Sequence, residues 1–218
     1  MEWEKEAEEY IQQLKPVNIT TVLKQKVFSL IDLTSLNDTD TTASIAAFSE
    51  KSISPLGHVA AICVYPQFVR LIAAAFSETP IKVATVANFP HGKDSLESVM
   101  VQIGDALENG AQEMDVVFPY ERFLAGEHQY AELFITTCKA ACGDDVLLKV
   151  ILETGALPDL KTIAEASRIA LFGGADFIKT STGKIAQGAT LEAVVSAIEA
   201  FLSSIVIRTL LPFACAFL

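Results

Sequence analysis

Three ionisable residues interrupt otherwise apolar stretches of this sequence. They are Asp115, Lys149 and Lys179, within the segments Glu113–Phe118, Leu147–Glu153 and Phe177–Lys179. Burying a charge in such a segment costs several kcal/mol unless the charge is paired. The three residues therefore either belong to a functional site or form an internal ion pair between the aspartate and a lysine.

Lys179 is the strongest candidate for chemistry. An unprotonated lysine amine attacks carbonyl groups, and a dry protein interior or a neighbouring cation lowers its pKa toward neutrality. The resulting iminium lets the adjacent carbon lose a proton and become an enamine, which is the nucleophile of an aldol addition. A carboxylate must then move protons, and Asp115 is suited to do so through a water molecule.

The segment after this lysine, Thr180–Lys184, is rich in hydrogen-bond donors and contains Gly183. Its backbone amides and the Lys184 ammonium are suited to hold a phosphate group. The alternative is a polar turn between a strand and a helix that carries a surface lysine.

Short β-branched runs alternate with helical stretches, a pattern typical of parallel strands with crossover helices. Predicted strands begin near Val27, His58, Lys82, Glu113, Leu147 and Asp176. Predicted helices span Glu4–Leu14, Leu96–Asn109 and Leu160–Leu171. No strand is followed by a GxGxxG motif, so the α/β pattern favours a barrel over a doubly wound dinucleotide-binding sheet.

The predicted barrel is incomplete. Six strand–helix units are followed by a candidate seventh strand, Ile205–Arg208, and by an apolar tail without a helical pattern. An open barrel leaves unpaired backbone groups at its edge strands. The tail either covers one such edge or is the remnant of a frameshifted or truncated chain.

Composition narrows the class of protein. The 218 residues carry a formal net charge of -11 with scattered basic residues, which argues against nucleic-acid binding and for one globular domain over residues 1–218. No apolar run is long enough to span a membrane, and the acidic N-terminus argues against a targeting segment. The four cysteines show no paired CxxC spacing, so a reducing cytoplasm is expected. Cys138 and Cys142 lie four residues apart and fit a buried helix face better than a metal site.

Five segments in order resemble the deoxyribose-phosphate aldolases: Ile31–Leu36, Ala60–Pro66, Asn88–Gly92, Asp115–Pro119 and Phe177–Lys184. The resemblance runs from about Leu30 to Phe201. It implies a metal-free and cofactor-free class I aldolase, a lyase of deoxyribonucleotide catabolism on a (β/α)₈ TIM barrel. Such an enzyme reversibly cleaves 2-deoxy-D-ribose 5-phosphate to acetaldehyde and D-glyceraldehyde 3-phosphate. Its implied partners are these small molecules, with a homo-oligomer as a further expectation.

The resemblance assigns roles to individual residues. It makes Lys179 the Schiff-base lysine and Asp115 the proton donor and acceptor. Asp32, at the end of the first predicted strand, would contact substrate hydroxyls, with a helix N-cap as the alternative. The other implied substrate-binding residues are Lys149, which tunes charge, Gly183 and Lys184 at the phosphate, and Thr34, Leu36 and Phe89 at the wall near the aldehyde.

The sequence departs from the family after about Ser203. The family carries a second catalytic lysine on its seventh strand, in a Lys-Pro-Ala-Gly-Gly-like segment, and a Gly-Ala-Ser-Ser-like phosphate turn after the eighth strand. Neither segment occurs here. A missing acid–base group costs about 10²–10⁴-fold in rate, although Lys149 or Lys184 could substitute in part.

Three functions follow as hypotheses. The first is an aldolase with impaired activity. The second is a non-catalytic remnant that binds a sugar phosphate or a protein partner. The third is another lysine-dependent barrel enzyme such as a transaldolase, which fits the chemistry but not the ordered motifs.

Overall fold

A computed structural model describes residues 2–205 of the chain. The strands are β1 (Asp32–Ser35), β2 (Ile53–Ser54), β3 (Gly57–His58), β4 (Ala61–Val64), β5 (Lys82–Ala87), β6 (Glu113–Val117), β7 (Leu147–Ile151) and β8 (Phe177–Lys179). The helices are α1 (Glu2–Gln13), α2 (Thr21–Phe28), α3 (Thr42–Ser49), α4 (Val69–Phe76), α5 (Leu96–Glu108), α6 (Tyr120–Leu124), α7 (His128–Cys142), α8 (Leu160–Phe172) and α9 (Leu191–Ile205).

Six of these strands form one parallel sheet in the order β1-β4-β5-β6-β7-β8, and a helix follows each of them. Neighbouring strands in the sheet are also neighbours along the chain, apart from the short antiparallel pair of β2 and β3 between β1 and β4. The sheet curls into part of a barrel. The prediction of an incomplete (β/α)₈ barrel with six units is therefore confirmed.

Two predicted strand starts are wrong. Val27 lies near the end of α2, which begins after the N-cap residue Thr20, whose hydroxyl accepts a hydrogen bond from the Leu23 amide at 3.1 Å. His58 lies in β3, and the strand of the barrel begins three residues later at Ala61. In both places a β-branched or apolar run precedes the true strand, so residue type alone placed the start too early.

The candidate seventh strand lies almost entirely outside the described residues. Ile205 is the last residue of α9, and the remaining residues of the predicted strand and the apolar tail fall in the segment 206–218. The alternatives for the tail therefore stay predictions.

The two faces of the sheet differ in chemistry because strand side chains alternate between them. The outer face is apolar and packs against the helices, with Ile62, Met114 and Leu148 fully buried in the main core. On the inner face of β4 and β5 lie the small residues of a separate cluster: Ala61, Cys63, Ala84 and Val86. Charged residues occupy the inner face of the remaining strands.

Candidate active site

Four of the charged side chains on the inner face come from strands far apart in sequence. Asp32 lies on β1, Asp115 on β6, Lys149 on β7 and Lys179 on β8. The sheet curls so that side chains from its two end strands, β1 and β8, meet inside it, and Lys179 Nζ lies 3.7 Å from Asp32 Oδ2. Each of the four residues is at most 7% exposed. The structure therefore brings together the three ionisable residues singled out from the sequence and one of the implied substrate contacts.

Lys179 is paired with Asp115. Its Nζ lies 2.5 Å from Asp115 Oδ2, and both residues are almost fully buried. Burial is the largest single effect on the pKa of Lys179 and lowers it, but the charge of Asp115, a contribution from Cys63 and the hydrogen bond to Asp115 together outweigh burial, so the pKa is raised. The lowering that a dry interior alone would produce is therefore reversed in this arrangement, because a carboxylate lies against the amine.

Lys149 is the cation at the centre of the cluster. Its Nζ lies 2.5 Å from Asp32 Oδ2 and from Glu113 Oε2, and 3.9 Å from Asp115 Oδ1. Burial lowers the pKa of Lys149. The carboxylates of Asp115, Asp32 and Glu113 raise it by more than burial lowers it, so the ammonium form is favoured. The charge of Lys149 also lowers the pKa of Lys179, in the manner expected of a neighbouring cation.

Glu113 is a member of the cluster that the sequence analysis did not select. It is 6% exposed, and burial raises its pKa while the Lys149 charge opposes that shift. Glu113 precedes Asp115 by two residues on β6, so the two side chains lie on the same face of the strand. That spacing was the available signal, but a charged residue at the start of a strand is usually an exposed one.

Replacing Lys149 by methionine is expected to destabilise the fold by about 3–5 kcal/mol, because buried carboxylates lose their cation. Urea unfolding of the variant measures this loss as a lower midpoint at unchanged slope. The double variant Lys149→Met with Glu113→Gln should recover part of the stability, because one uncompensated charge is removed. A loss below about 1 kcal/mol in the single variant would contradict the charge arrangement described here.

Asp32 does not cap a helix. It is the first residue of β1 rather than the end of that strand, and α3 is capped instead by the Thr41 hydroxyl, which accepts from the Ser44 amide at 3.1 Å. The N-cap alternative is therefore wrong. The Asp32 carboxylate pairs with Lys149, and its contact with substrate hydroxyls stays a prediction.

The implied wall residues lie on the rim of the inner face. The Thr34 hydroxyl donates to the Asp32 carbonyl oxygen at 3.0 Å, and Thr34 is the register partner of Cys63. Leu36 and Phe89 are partly buried and pack against the small residues of β4 and β5. Most of the residues of this cluster are small, so they fill less of the inner face than bulky residues would.

Cys63 is a second residue that the sequence did not mark for the site. It is fully buried, and its Sγ donates to Asp115 Oδ2 at 3.8 Å. Burial raises the pKa of the Cys63 thiol, and the Asp115 charge adds to that shift, so the protonated form is favoured. A lone cysteine in an apolar strand gives no sequence signal for such a position.

Some polar groups of the turn after Lys179 already form hydrogen bonds within the chain. The Lys184 ammonium donates to the Leu36 carbonyl oxygen at 2.6 Å, and the Lys184 amide donates to Thr182 Oγ1 at 3.1 Å. Gly183 has a positive φ of 73° and an open surface around it. The turn thus lies across the mouth of the partial barrel, and its role as a phosphate site stays a prediction.

A cavity of about 340 Å³ lies elsewhere, between α1, the start of α8 and the segment 187–193. Four carboxylates line it, from Glu4, Glu8, Asp159 and Glu192. Negative walls disfavour an anionic sugar phosphate, and none of the paired lysines lines this cavity. The charge cluster on the inner face is therefore the better candidate for the site.

The described part of the chain shows neither a metal-binding cluster nor a membrane-spanning helix. Among residues 2–205, no group of three or more His, Cys, Asp or Glu side chains is arranged to hold a metal ion. Within the same residues, no helix has the length and apolar character needed to cross a bilayer. The cysteines at 138 and 142 are buried on α7, as the packing interpretation predicted.

Comparisons with known proteins point to one family. The profile of the DeoC/LacD family of aldolases matches residues 26–202. A candidate deoxyribose-phosphate aldolase from Toxoplasma gondii shares 28% identity at a TM-score of 0.78, over 88% of this chain and 74% of that one. Another from Coccidioides immitis shares 25% identity at 0.78, over 93% and 80%. The aldolase QR15 shares 30% identity at 0.74, over 80% and 76%.

Proposed function

The chain belongs to the DeoC/LacD family of aldolases, and from that premise we propose that it is a class I aldolase acting through a Schiff base on Lys179. The proposed reaction is the reversible cleavage of 2-deoxy-D-ribose 5-phosphate to acetaldehyde and D-glyceraldehyde 3-phosphate. One observation carries the proposal: a buried lysine amine lies 2.5 Å from a buried carboxylate on the inner face of the barrel. Nucleophile and base within hydrogen-bonding reach are what covalent aldol chemistry requires.

The proposed cleavage begins with proton transfer from the Lys179 ammonium to Asp115. The free amine adds to the C1 aldehyde of the open-chain sugar, and loss of one water gives an iminium. Asp115, after releasing its proton to the departing water, removes the proton of the C3 hydroxyl. The C2–C3 bond then breaks, its electrons pass to the iminium, and D-glyceraldehyde 3-phosphate leaves.

The second half of the reaction restores the lysine. The enamine left on Lys179 takes a proton at C2 from Asp115 and becomes the iminium of acetaldehyde. Addition of one water to this iminium releases acetaldehyde and returns Lys179 to its ammonium form beside the ionised Asp115, so the water lost in the first half is used again. Lys149 supports both halves of the reaction. Its ammonium lowers the pKa of Lys179 and lies 3.9 Å from the Asp115 carboxylate, which it attracts.

Substrate contacts are proposed at the rim of the site. Asp32 would receive a substrate hydroxyl, and Thr34, Leu36 and Phe89 would line the wall at the aldehyde. Gly183 and Lys184 would meet the phosphate, because Lys184 brings a positive charge and the open glycine leaves room for an anion. Binding of phosphate there requires that the Lys184 ammonium share or exchange its contact with the Leu36 carbonyl.

The rate of imine formation is expected to rise with pH through the alkaline range. The pKa of Lys179 is raised above the ordinary lysine value of about 10.4, so the reactive unprotonated amine is scarce at neutral pH. Its fraction should keep increasing until the pH passes this raised pKa. Initial rates of acetaldehyde capture, stopped with borohydride at each pH, measure the profile. A plateau already reached near pH 8 would contradict the raised pKa.

A turnover assay tests the proposed function. Release of D-glyceraldehyde 3-phosphate from 2-deoxy-D-ribose 5-phosphate is expected, with weaker use of 2-deoxyribose, which lacks the phosphate. A folded chain that releases no product would favour the alternative of a non-catalytic sugar-phosphate-binding protein. The predicted impairment concerns the sequence after about Ser203, most of which lies outside the described residues. The same assay measures it by comparison with an intact family member. A cytoplasmic location and a homo-oligomer also stay predictions.

A further inference from the structure

Glu153 is a buried titratable residue that the proposed chemistry does not use. It follows β7, is 0% exposed and has a left-handed backbone with φ 54°. Residues other than glycine rarely adopt this conformation without a local reason. Within the described residues its carboxylate has no salt bridge. Instead one oxygen accepts from the Thr182 amide at 3.3 Å and the other from the Thr182 hydroxyl.

This contact continues the pairing of β7 with β8 beyond the last residues of the strands. Ile151 is the register partner of Lys179. After it, the Leu152 amide donates to the Lys179 carbonyl at 2.9 Å, and the Thr154 amide donates to the Thr180 carbonyl at 2.8 Å. Among the strands that the structure describes, β8 pairs with β7 alone. The backbone of Lys179 is therefore fixed from the β7 side, and the Glu153 carboxylate holds the turn that follows.

From Thr182 the hydrogen bonds lead on across the mouth of the barrel. Thr182 is 6% exposed, and its Oγ1 accepts from the Lys184 amide at 3.1 Å. The Lys184 ammonium then reaches the Leu36 carbonyl at 2.6 Å, after β1. A continuous path of polar contacts thus joins the end of β7 to the loop after β1, and the turn that carries Lys184 lies within it.

We propose that Glu153 is a positioning residue, which acts through Thr182 to fix the turn after Lys179 and so holds the lysine in its reactive place. The proposal rests on the proposed function where it takes Lys179 as the nucleophile. Glu153 touches neither Lys179 Nζ nor Asp115 in the described contacts, so it acts on the backbone and not on the charge of the amine.

Three variants of the full chain separate this role from a general effect on folding. Thr182→Val keeps the shape of the side chain and removes the hydroxyl, Thr182→Ser keeps the hydroxyl, and Glu153→Gln replaces one acceptor oxygen by a donor. Hydrogen exchange is measured at the amides of Thr182 and Lys184, with the amides of β4 and β5 as internal reference. Capture of acetaldehyde on the lysine, stopped with borohydride, is measured in parallel.

The expected result is exchange about tenfold faster at the two turn amides in Thr182→Val and Glu153→Gln, with the reference amides unchanged. Adduct formation at Lys179 should slow by about tenfold in the same two variants, and Thr182→Ser should stay within about threefold of the unchanged chain in both measurements. The serine variant is the rescue, because only the methyl group is lost.

Several results would overturn the proposal. One is hydrogen exchange that accelerates uniformly across the chain, and another is exchange that stays unchanged in Thr182→Val. A third is acetaldehyde capture that stays at its original rate although the turn amides exchange faster. The last is a loss of capture in Thr182→Ser equal to that in Thr182→Val. Failure of the aldolase proposal looks different, because the unaltered chain then gives no adduct on Lys179. In that case the exchange pattern alone decides whether Glu153 holds the turn.

Discussion

Lys179→Arg is expected to lower the turnover of 2-deoxy-D-ribose 5-phosphate by at least about 10⁴-fold, because loss of a covalent nucleophile removes the reaction path itself. Arginine keeps a positive charge beside Asp115 and Asp32, so the buried carboxylates retain a partner. The guanidinium does not form an iminium, since it stays protonated. Turnover is measured at saturating substrate, together with unfolding in urea.

The matched control is Lys161→Arg, on the outer helix α8. The Lys161 side chain is 70% exposed and, among residues 2–205, forms an ion pair with Glu165 on the same helix. This variant should turn over substrate at the rate of the unaltered chain. Turnover by a folded Lys179→Arg protein within about tenfold of the unaltered chain would remove Lys179 from the chemistry.

Asp115→Asn is expected to lower turnover by about 10²–10⁴-fold, the range typical for loss of a general acid–base group. The carboxylate is 1% exposed and contacts the Lys179 amine, whereas asparagine keeps the shape without the charge. Without that charge, burial and the Lys149 ammonium remain to lower the pKa of Lys179. Capture of acetaldehyde should therefore reach its plateau at lower pH in this variant, while turnover falls.

Glu113→Gln is the matched control for the aspartate. Glu113 lies on the same strand and the same face, but it pairs with Lys149 rather than with Lys179. Burial raises the pKa of Glu113, which favours its neutral form, so we expect a neutral amide to be tolerated at this position. Its loss of turnover should be smaller than that of Asp115→Asn. Equal losses in the two variants would mean that the cluster acts by its total charge and not through Asp115 as the base.

The sequence predicted the partial barrel and the principal ionisable residues of its inner face. Asp115, Lys149 and Lys179 could be predicted because a charge inside an apolar strand is rare and is visible from the few residues around it. The pairing of Lys179 with Asp115 was accessible in outline, but the close contact between the two side chains that raises the pKa of Lys179 was not. That direction depends on a distance between side chains 64 positions apart in the chain.

Other features required the three-dimensional arrangement. Cys63 carries no distinctive local pattern, and the only sequence signal for Glu113 was its spacing of two residues from Asp115 on β6. Asp32 was placed at the wrong end of its strand, because the apolar run near Val27 belongs to a helix rather than to β1. In the sequence, Glu153 stands out only as the last residue of an apolar strand. Its hydrogen bond with Thr182 joins two loops, and nothing in their spacing along the chain indicates that they meet.

The central claim is that Lys179 forms a covalent iminium with an aldehyde, and reductive trapping tests it most directly. The intact chain is incubated with acetaldehyde, reduced with borohydride, digested and analysed by peptide mass spectrometry. We expect an N-ethyl group on Lys179, absent from the equivalent peptide of Lys179→Arg, with Lys149 and Lys184 unmodified. A folded chain without an adduct, or with an adduct on a different lysine, would contradict the account.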